Sequence, residues 1–274
     1  MIGFVLLLFA VGCVTGFTTV IFGFGGGFVT VPAVYAAVAA TGGGVAEGQA
    51  MHTAVATSTA VMVVNAASAT VAGARLGRLR RDYLWPITPF IAGGAALGAA
   101  AANRAPEVLL HILFVAYLAV TIVDSVVRTG FLSGPAGSAA GAPLSSAAST
   151  FGGVGIGAIA SFLGVGGSVM TVPLLRRKGV AMAEATALAN PLSLPVAVAG
   201  TAIYAFARSA GGHPGQVGYV SLAAAAALVA GSVPTVALAK RVLASRKIPD
   251  RVHAVAYLIL LGTILIAMIA TMVA

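Results

Sequence analysis

Two short glycine runs hold most of the chemistry this chain can offer a ligand. Gly23-Phe24-Gly25-Gly26-Gly27-Phe28-Val29-Thr30-Val31-Pro32 aligns without a gap on Gly164-Val165-Gly166-Gly167-Ser168-Val169-Met170-Thr171-Val172-Pro173, so the pattern G-x-G-G-[GS]-x-x-T-V-P occurs twice. Glycine has no side chain, and such a run therefore presents main chain. A helix that starts there leaves its first N–H groups unpaired and carries roughly half a positive charge at its start, which suits an anion. Gly25, Gly26 and Gly27 are candidate anion contacts in the first copy, and Gly166, Gly167 and Ser168 in the second. Thr30 and Thr171, one turn further on, can donate hydroxyl hydrogen bonds, while Pro32 and Pro173 limit the geometry of the arm that carries them. The competing explanation is that these glycines only let helices cross closely, as in GxxxG packing; the presence of two copies argues for more.

A second shared feature follows each run. Ala54-Val55-Ala56-Thr57-Ser58 aligns with Ala187-Leu188-Ala189-Asn190-Pro191. Thr57, Ser58, Asn65 and Asn190, the other polar groups placed within spans, can complete an anion's hydrogen-bond shell, although Ser, Thr and Asn also bond helix to helix in membranes. Other chemistries fit less well. A nucleotide fold needs a third glycine at the place G-x-G-x-x-G requires, and a strand before it. An intramembrane hydrolase using Ser58 or Ser168 with His52 lacks an orienting acid, and the spacing from His52 to Ser58 puts them on different helix faces. Cys13 is the only cysteine, which excludes an internal disulfide and a thiolate cluster. Glu47, Asp82, Glu107, Asp124, Glu184 and Asp250 all map to loops or span ends, so no carboxylate relay crosses the chain. No catalytic residue, cofactor or metal ligand is assigned.

The elements that must position these residues are membrane helices. Of the 274 residues 59% are hydrophobic and 8% charged, too few polar groups to cover a water-soluble globule. Apolar runs fall at about 3–40, 50–73, 85–102, 106–127, 147–175, 184–207, 217–239 and 252–273, the first and fifth broken by glycine. Helix is preferred to barrel strand because the runs do not alternate. The expected fold is an all-α integral membrane protein with a first repeat (1–127), a cytoplasmic linker (128–146) and a second repeat (147–274). The +9 net charge sits in short loops and reads as orientation rather than nucleic-acid binding. Placing the loops that carry Arg75, Arg78, Arg80 and Arg81, then Arg176, Arg177 and Lys178, then Lys240, Arg241, Arg246, Lys247 and Arg251 on the cytoplasmic side puts Arg128 of the linker there too and leaves only Arg104 and Arg208 outside. That parity requires each glycine-broken segment to be a helical hairpin followed by three transmembrane helices. The two repeats are then inverted and both termini periplasmic. Trp85 and Tyr83 fit an interfacial aromatic belt.

At the doubled glycine pattern and the Ala-x-Ala-[Thr/Asn]-[Ser/Pro] segment after each copy, the chain resembles the TauE/SafE family of sulfite exporters over nearly its whole length. The resemblance implies a permease of the bacterial inner membrane whose partners are lipid and a small sulfur-containing anion, sulfite or an organosulfonate. A homodimer is compatible with it. A permease or channel for a different small anion is the alternative, since the same amide cradle serves either. Asn190-Pro191 in place of Thr57-Ser58, and Ser168 in place of Gly27, depart from the fuller pattern and predict unequal roles for the halves.

Overall fold

The apolar runs fold as helices. The computed structural model describes residues 2–41, 48–75, 84–85, 87–127, 146–177, 182–207, 215–243 and 249–273. Among these, ten helices form in the order α1 (Ile2–Phe22), α2 (Gly27–Thr41), α3 (Ala50–Arg75), α4 (Thr88–Ala102), α5 (Glu107–Val127), α6 (Ser146–Phe162), α7 (Ser168–Arg177), α8 (Met182–Ala205), α9 (Leu222–Leu243) and α10 (Asp250–Val273). A small antiparallel ribbon, β1 (Gln216–Val217) with β2 (Val220–Ser221), precedes α9. Six helices, α1, α3, α5, α8, α9 and α10, are long and apolar enough to cross a bilayer. The chain is an all-helical, multi-span membrane protein. The proposed linker lies outside the described residues except for Ser146, which begins α6.

Polarity is inverted relative to a soluble protein. Leu6, Val108, Val120, Ile259 and Ile266 are each more than 60% exposed on α1, α5 and α10, faces that only hydrocarbon can cover. Thr15, Thr19, Thr57, Ser58, Asn65, Ser168 and Ser232 are fully buried. Trp85 is exposed just before α4, and Tyr83 lies outside the described residues.

Helix contacts exchange between the halves. The two most extensive are α1 on α9 and α4 on α6, and each is a glycine seam. Gly12 and Gly16 of α1 press on the Leu228 and Ser232 carbonyls of α9, and Gly231 returns the contact at Phe9. Gly94 and Gly98 of α4 lie on the Val154 and Ala158 carbonyls of α6, with Gly157 against Ile91. A Cβ at any of these would overlap backbone, so the close-crossing explanation of glycine holds for this set. Helices α3 and α8 cross at the centre, α9 flanks α3, and α4 flanks α8. Every one of these contacts has a counterpart when the halves are interchanged.

Candidate functional site

Both glycine runs break their helices. Helix α1 stops at Phe22, and Gly23, Gly25 and Gly26 take φ of 73°, 60° and 93°, a region open to glycine at little steric cost, before α2 starts at Gly27. In the second run Gly164 alone has such an angle, φ 68°, and α7 begins at Ser168. Pro32 and Pro173 lie inside α2 and α7.

The two turns touch. An ideal Cβ on Gly27 would lie 2.8 Å from the Gly164 carbonyl oxygen, 3.0 Å from Val165 Cα and 3.2 Å from Gly166 N, and one on Gly166 would lie 2.7 Å from the Phe24 carbonyl oxygen. Ser58 of α3 sits at the junction, its hydroxyl 2.8 Å from the Gly164 carbonyl and 3.2 Å from the Gly27 carbonyl, so one proton is shared between the halves. Gly27, Ser58 and Gly166 thus come together as their sequence positions suggested. The remaining candidates surround them. Gly25 faces Met62 and Ala66 of α3, Gly26 faces Thr15, Thr19 and Asn65, and Gly167 faces Ile156, Leu192 and Val196. Asn190 Nδ2 donates to the Thr19 carbonyl at 3.4 Å, joining α8 to the end of α1, and its Oδ1 is buried with no partner among the described residues. Ser168 and Thr171 are likewise buried with their hydroxyls unpartnered.

Two candidates point elsewhere. The Thr30 hydroxyl donates to the Gly26 carbonyl at 2.9 Å, closing the first turn of α2 on itself. Thr57 Oγ1 accepts from Ser221 N at 3.0 Å and holds β2 against α3. Ser58 and His52 do not meet: His52 Nε2 is 3.1 Å from the Ala102 and Ala105 carbonyls and stacks on Tyr219. His111 and His253 also bind carbonyls, of Met268 and Ile21, so these three histidines tie helices together.

Sequence reasoning missed Thr15 and Thr19 before the first turn, Ser193 beside Gly166, and Ser232 on α9. Thr15 and Thr19 are spaced one helical turn apart just ahead of the glycines, a signal that could have found them. It also missed a pair of helix-start carboxylates. Glu107 Oε1 accepts from Met51 N at 2.9 Å at the start of α3, and Asp250 Oδ1 accepts from Met182 N at 2.7 Å at the start of α8. Arg176, expected in a cytoplasmic loop, is instead buried in the last turn of α7, and its guanidinium is 2.8 Å from Asp250 Oδ2. Glu184 is in the first turn of α8, and Glu47 lies outside the described residues.

Among the described residues, the side chains that meet the two turns are uncharged. The arrangement offers neutral hydroxyl and amide groups in a buried interior, chemistry that can hold a small anion. Cations stand apart from it. An open groove lined by Ala100, Asn103, Arg104, Ile203, Ala207 and Tyr219 lies at the α4 end, where α3 begins. Towards the other end of α3, Lys240 Nζ of α9 donates to the Ser68 carbonyl at 2.7 Å. Among the described residues no cluster of three His, Cys, Asp or Glu could hold a metal ion.

The family described as Sulfite exporter TauE/SafE matches residues 8–270. The chain is 28% identical over 246 residues to a probable membrane transporter protein of Haemophilus influenzae, covering 85% of this chain and 86% of that protein. No solved structure matches it.

Proposed function

The chain belongs to the sulfite exporter TauE/SafE family of membrane transporters, and from that premise we propose that it carries sulfite or a related small sulfur-containing anion, such as an organosulfonate, out across the bacterial inner membrane, binding it at the two glycine turns. The observation that carries this reading is the junction itself. Two helix breaks from opposite halves of the chain are pressed together, with one shared hydroxyl between them. Broken helices meeting in the interior are the arrangement by which transporters expose main chain to a substrate.

The exchanged packing of α1 on α9 and α6 on α4 supports the inverted relation between the repeats. Basic residues in the loops support periplasmic termini. On this reading Gly25, Gly26, Gly27, Gly166, Gly167 and Ser168 approach the anion through main chain, and Thr171 and Asn190 through side chains, while Ser58 contributes by tying the two turns together. Thr30 and Thr57 act by holding α2 and β2 in place. A cytoplasm held negative drives a monoanion outward by about 2.3 kcal/mol per 100 mV, so no coupling ion is required for export.

The test is sulfite flux in proteoliposomes. Saturable, potential-dependent sulfite movement in the wild type, lost in Gly25→Val and Gly166→Val proteins that still insert and elute as folded species, supports the reading. Indifference to sulfite and sulfonates, with transport of another anion, would replace the substrate. Residues 41–49 and 176–183 labelled from the same side of the membrane would overturn the inverted repeat.

A further inference from the structure

The surroundings of Gly26 go beyond the shared pattern. Thr15 of α1 and Asn65 of α3 are fully buried, and their Oγ1 and Nδ2 atoms have no hydrogen-bond partner among the described residues. Both crowd the first glycine turn: an ideal Cβ on Gly26 would lie 2.9 Å from Asn65 Nδ2 and against Thr15 Cγ2, with Thr19 Oγ1 at 3.6 Å. The Asn65 amide is oriented from behind. Its Oδ1 accepts from Ser232 Oγ of α9 at 2.7 Å, a length typical of O–H···O bonds, which turns the two N–H donors towards Gly26. A buried donor without an acceptor is costly, by roughly 1–3 kcal/mol, so leaving two such groups on one glycine turn calls for a reason other than stability.

We propose that Asn65 and Thr15, with Ser232 orienting the amide, form an oxyanion-binding station on the α1, α3 and α9 side of the first turn, approached past Lys240. The station deepens the transport reading above and rests on it. Asn65 Nδ2 can only donate, the Thr15 hydroxyl can donate too, and none of Thr15, Thr19, Asn65, Ser232 and Gly26 is acidic, so the ligand is an acceptor-rich anion rather than a cation. The two N–H donors of Asn65, with the unpartnered Thr15 hydroxyl on the neighbouring helix, suit a group with several oxygens on one centre, which sulfite and a sulfonate head group share. Lys240 lies on α9 just over two turns beyond Ser232, about 12 Å along the axis, and is anchored to α3 at Ser68. It places a positive charge on the same two helices, α3 and α9, that carry Asn65 and Ser232, without reaching the station. At Gly167, the matching position of the second turn, there is no equivalent. There Gly167 meets Ile156, the Leu192 carbonyl and Val196, so where the first turn has Thr15 and Asn65 the second is mostly apolar.

Sulfite flux in proteoliposomes decides the matter with Thr15→Val, Asn65→Asp and Lys240→Gln. Thr15→Val keeps the shape and removes only the hydroxyl, and is expected to raise KM about fivefold with the maximal rate within about twofold. Asn65→Asp replaces donors by acceptors and should raise KM by about twentyfold or more. Lys240→Gln should raise KM about threefold at low salt, a difference that fades at high ionic strength. Should Asn65→Asp fail to fold, the isosteric Thr15→Val decides alone. Wild-type KM values in the folded variants beside an active wild type overturn the station and leave the transport reading standing. A wild-type protein that carries neither sulfite nor a sulfonate overturns the transport reading, and the station with it.

Discussion

The two glycine turns are written with one pattern and built with different surroundings. The first uses three left-handed glycines, keeps Gly27 bare against the Gly164 carbonyl, and faces the unpartnered donors of Thr15 and Asn65. The second uses one left-handed glycine, starts its helix with Ser168, and at Gly167 faces Ile156 and Val196. A duplicated motif therefore conserves the helix break and the meeting of the halves, while the neighbouring helices decide what each break offers. The first turn is the polar partner. The second gives it a backbone surface to rest on and a smaller polar patch at Gly166, formed by Ser168 and Ser193.

The sharpest way to break that comparison is to write the second turn into the first. Gly27→Ser gives the first copy the residue found at Ser168. Its Cβ would meet three backbone atoms of the opposing turn at 2.8–3.2 Å, and backbone cannot step aside as a flexible side chain does. Transport should fall by about 100-fold or more, with the tips held apart. The reverse change, Ser168→Gly, removes a side chain that lies at the start of α7 and should leave flux within about twofold. Equal losses in both variants, measured as sulfite flux per inserted protein, would mean that the turns are interchangeable and the asymmetry unimportant.

Much of this was legible in the sequence. Ten aligned residues announced the doubled break, and composition alone required helices in lipid. Gly27, Ser58 and Gly166 were singled out from the repeated segments, and the fold brings them together. What escaped were single polar residues on otherwise apolar helices. Nothing local to Ser232 says that α9 lies on α1 and α3 across the halves, and only that packing brings it to Asn65. Arg176 was assigned to a loop because hydropathy falls there, yet α7 continues for two residues past its apolar stretch and carries it to Asp250. Glu107 and Asp250 looked like ordinary acids at span ends, although each reaches across to the start of another helix.

Those two carboxylates extend the comparison to the ends of the central helices, with a smaller effect. Asp250 receives Met182 N and also neutralises a guanidinium whose side chain is 0% exposed, whereas Glu107 receives Met51 N at the matching place in the other half. Asp250→Asn removes the counter-charge from a buried cation and should destabilise the protein by about 3 kcal/mol. Glu107→Gln keeps an acceptor for the amide and loses only the charge at a helix start, about 0.5–1 kcal/mol. Thermal unfolding in detergent reads both. Similar midpoints for the two variants would show that Arg176 gains nothing from Asp250 and that the halves end alike.

The smallest effect separates binding from packing at the second turn. Thr30 and Thr171 occupy matching places, but the Thr30 hydroxyl is spent on the Gly26 carbonyl while that of Thr171 is buried without a partner among the described residues. Valine has nearly the same shape as threonine, so Thr→Val reports on the hydroxyl. Thr30→Val gives up one hydrogen bond and should lower stability by about 1 kcal/mol. Thr171→Val removes a desolvated group that makes no bond, and should leave stability unchanged or raise it by up to about 1 kcal/mol. If the hydroxyl is kept for the passing anion, that same variant should transport sulfite several-fold more slowly, a gain in stability set against a loss in function. Unaltered flux together with raised stability would remove Thr171 from the set of residues that touch the anion, and leave the second turn contributing Gly166, Gly167 and Ser168.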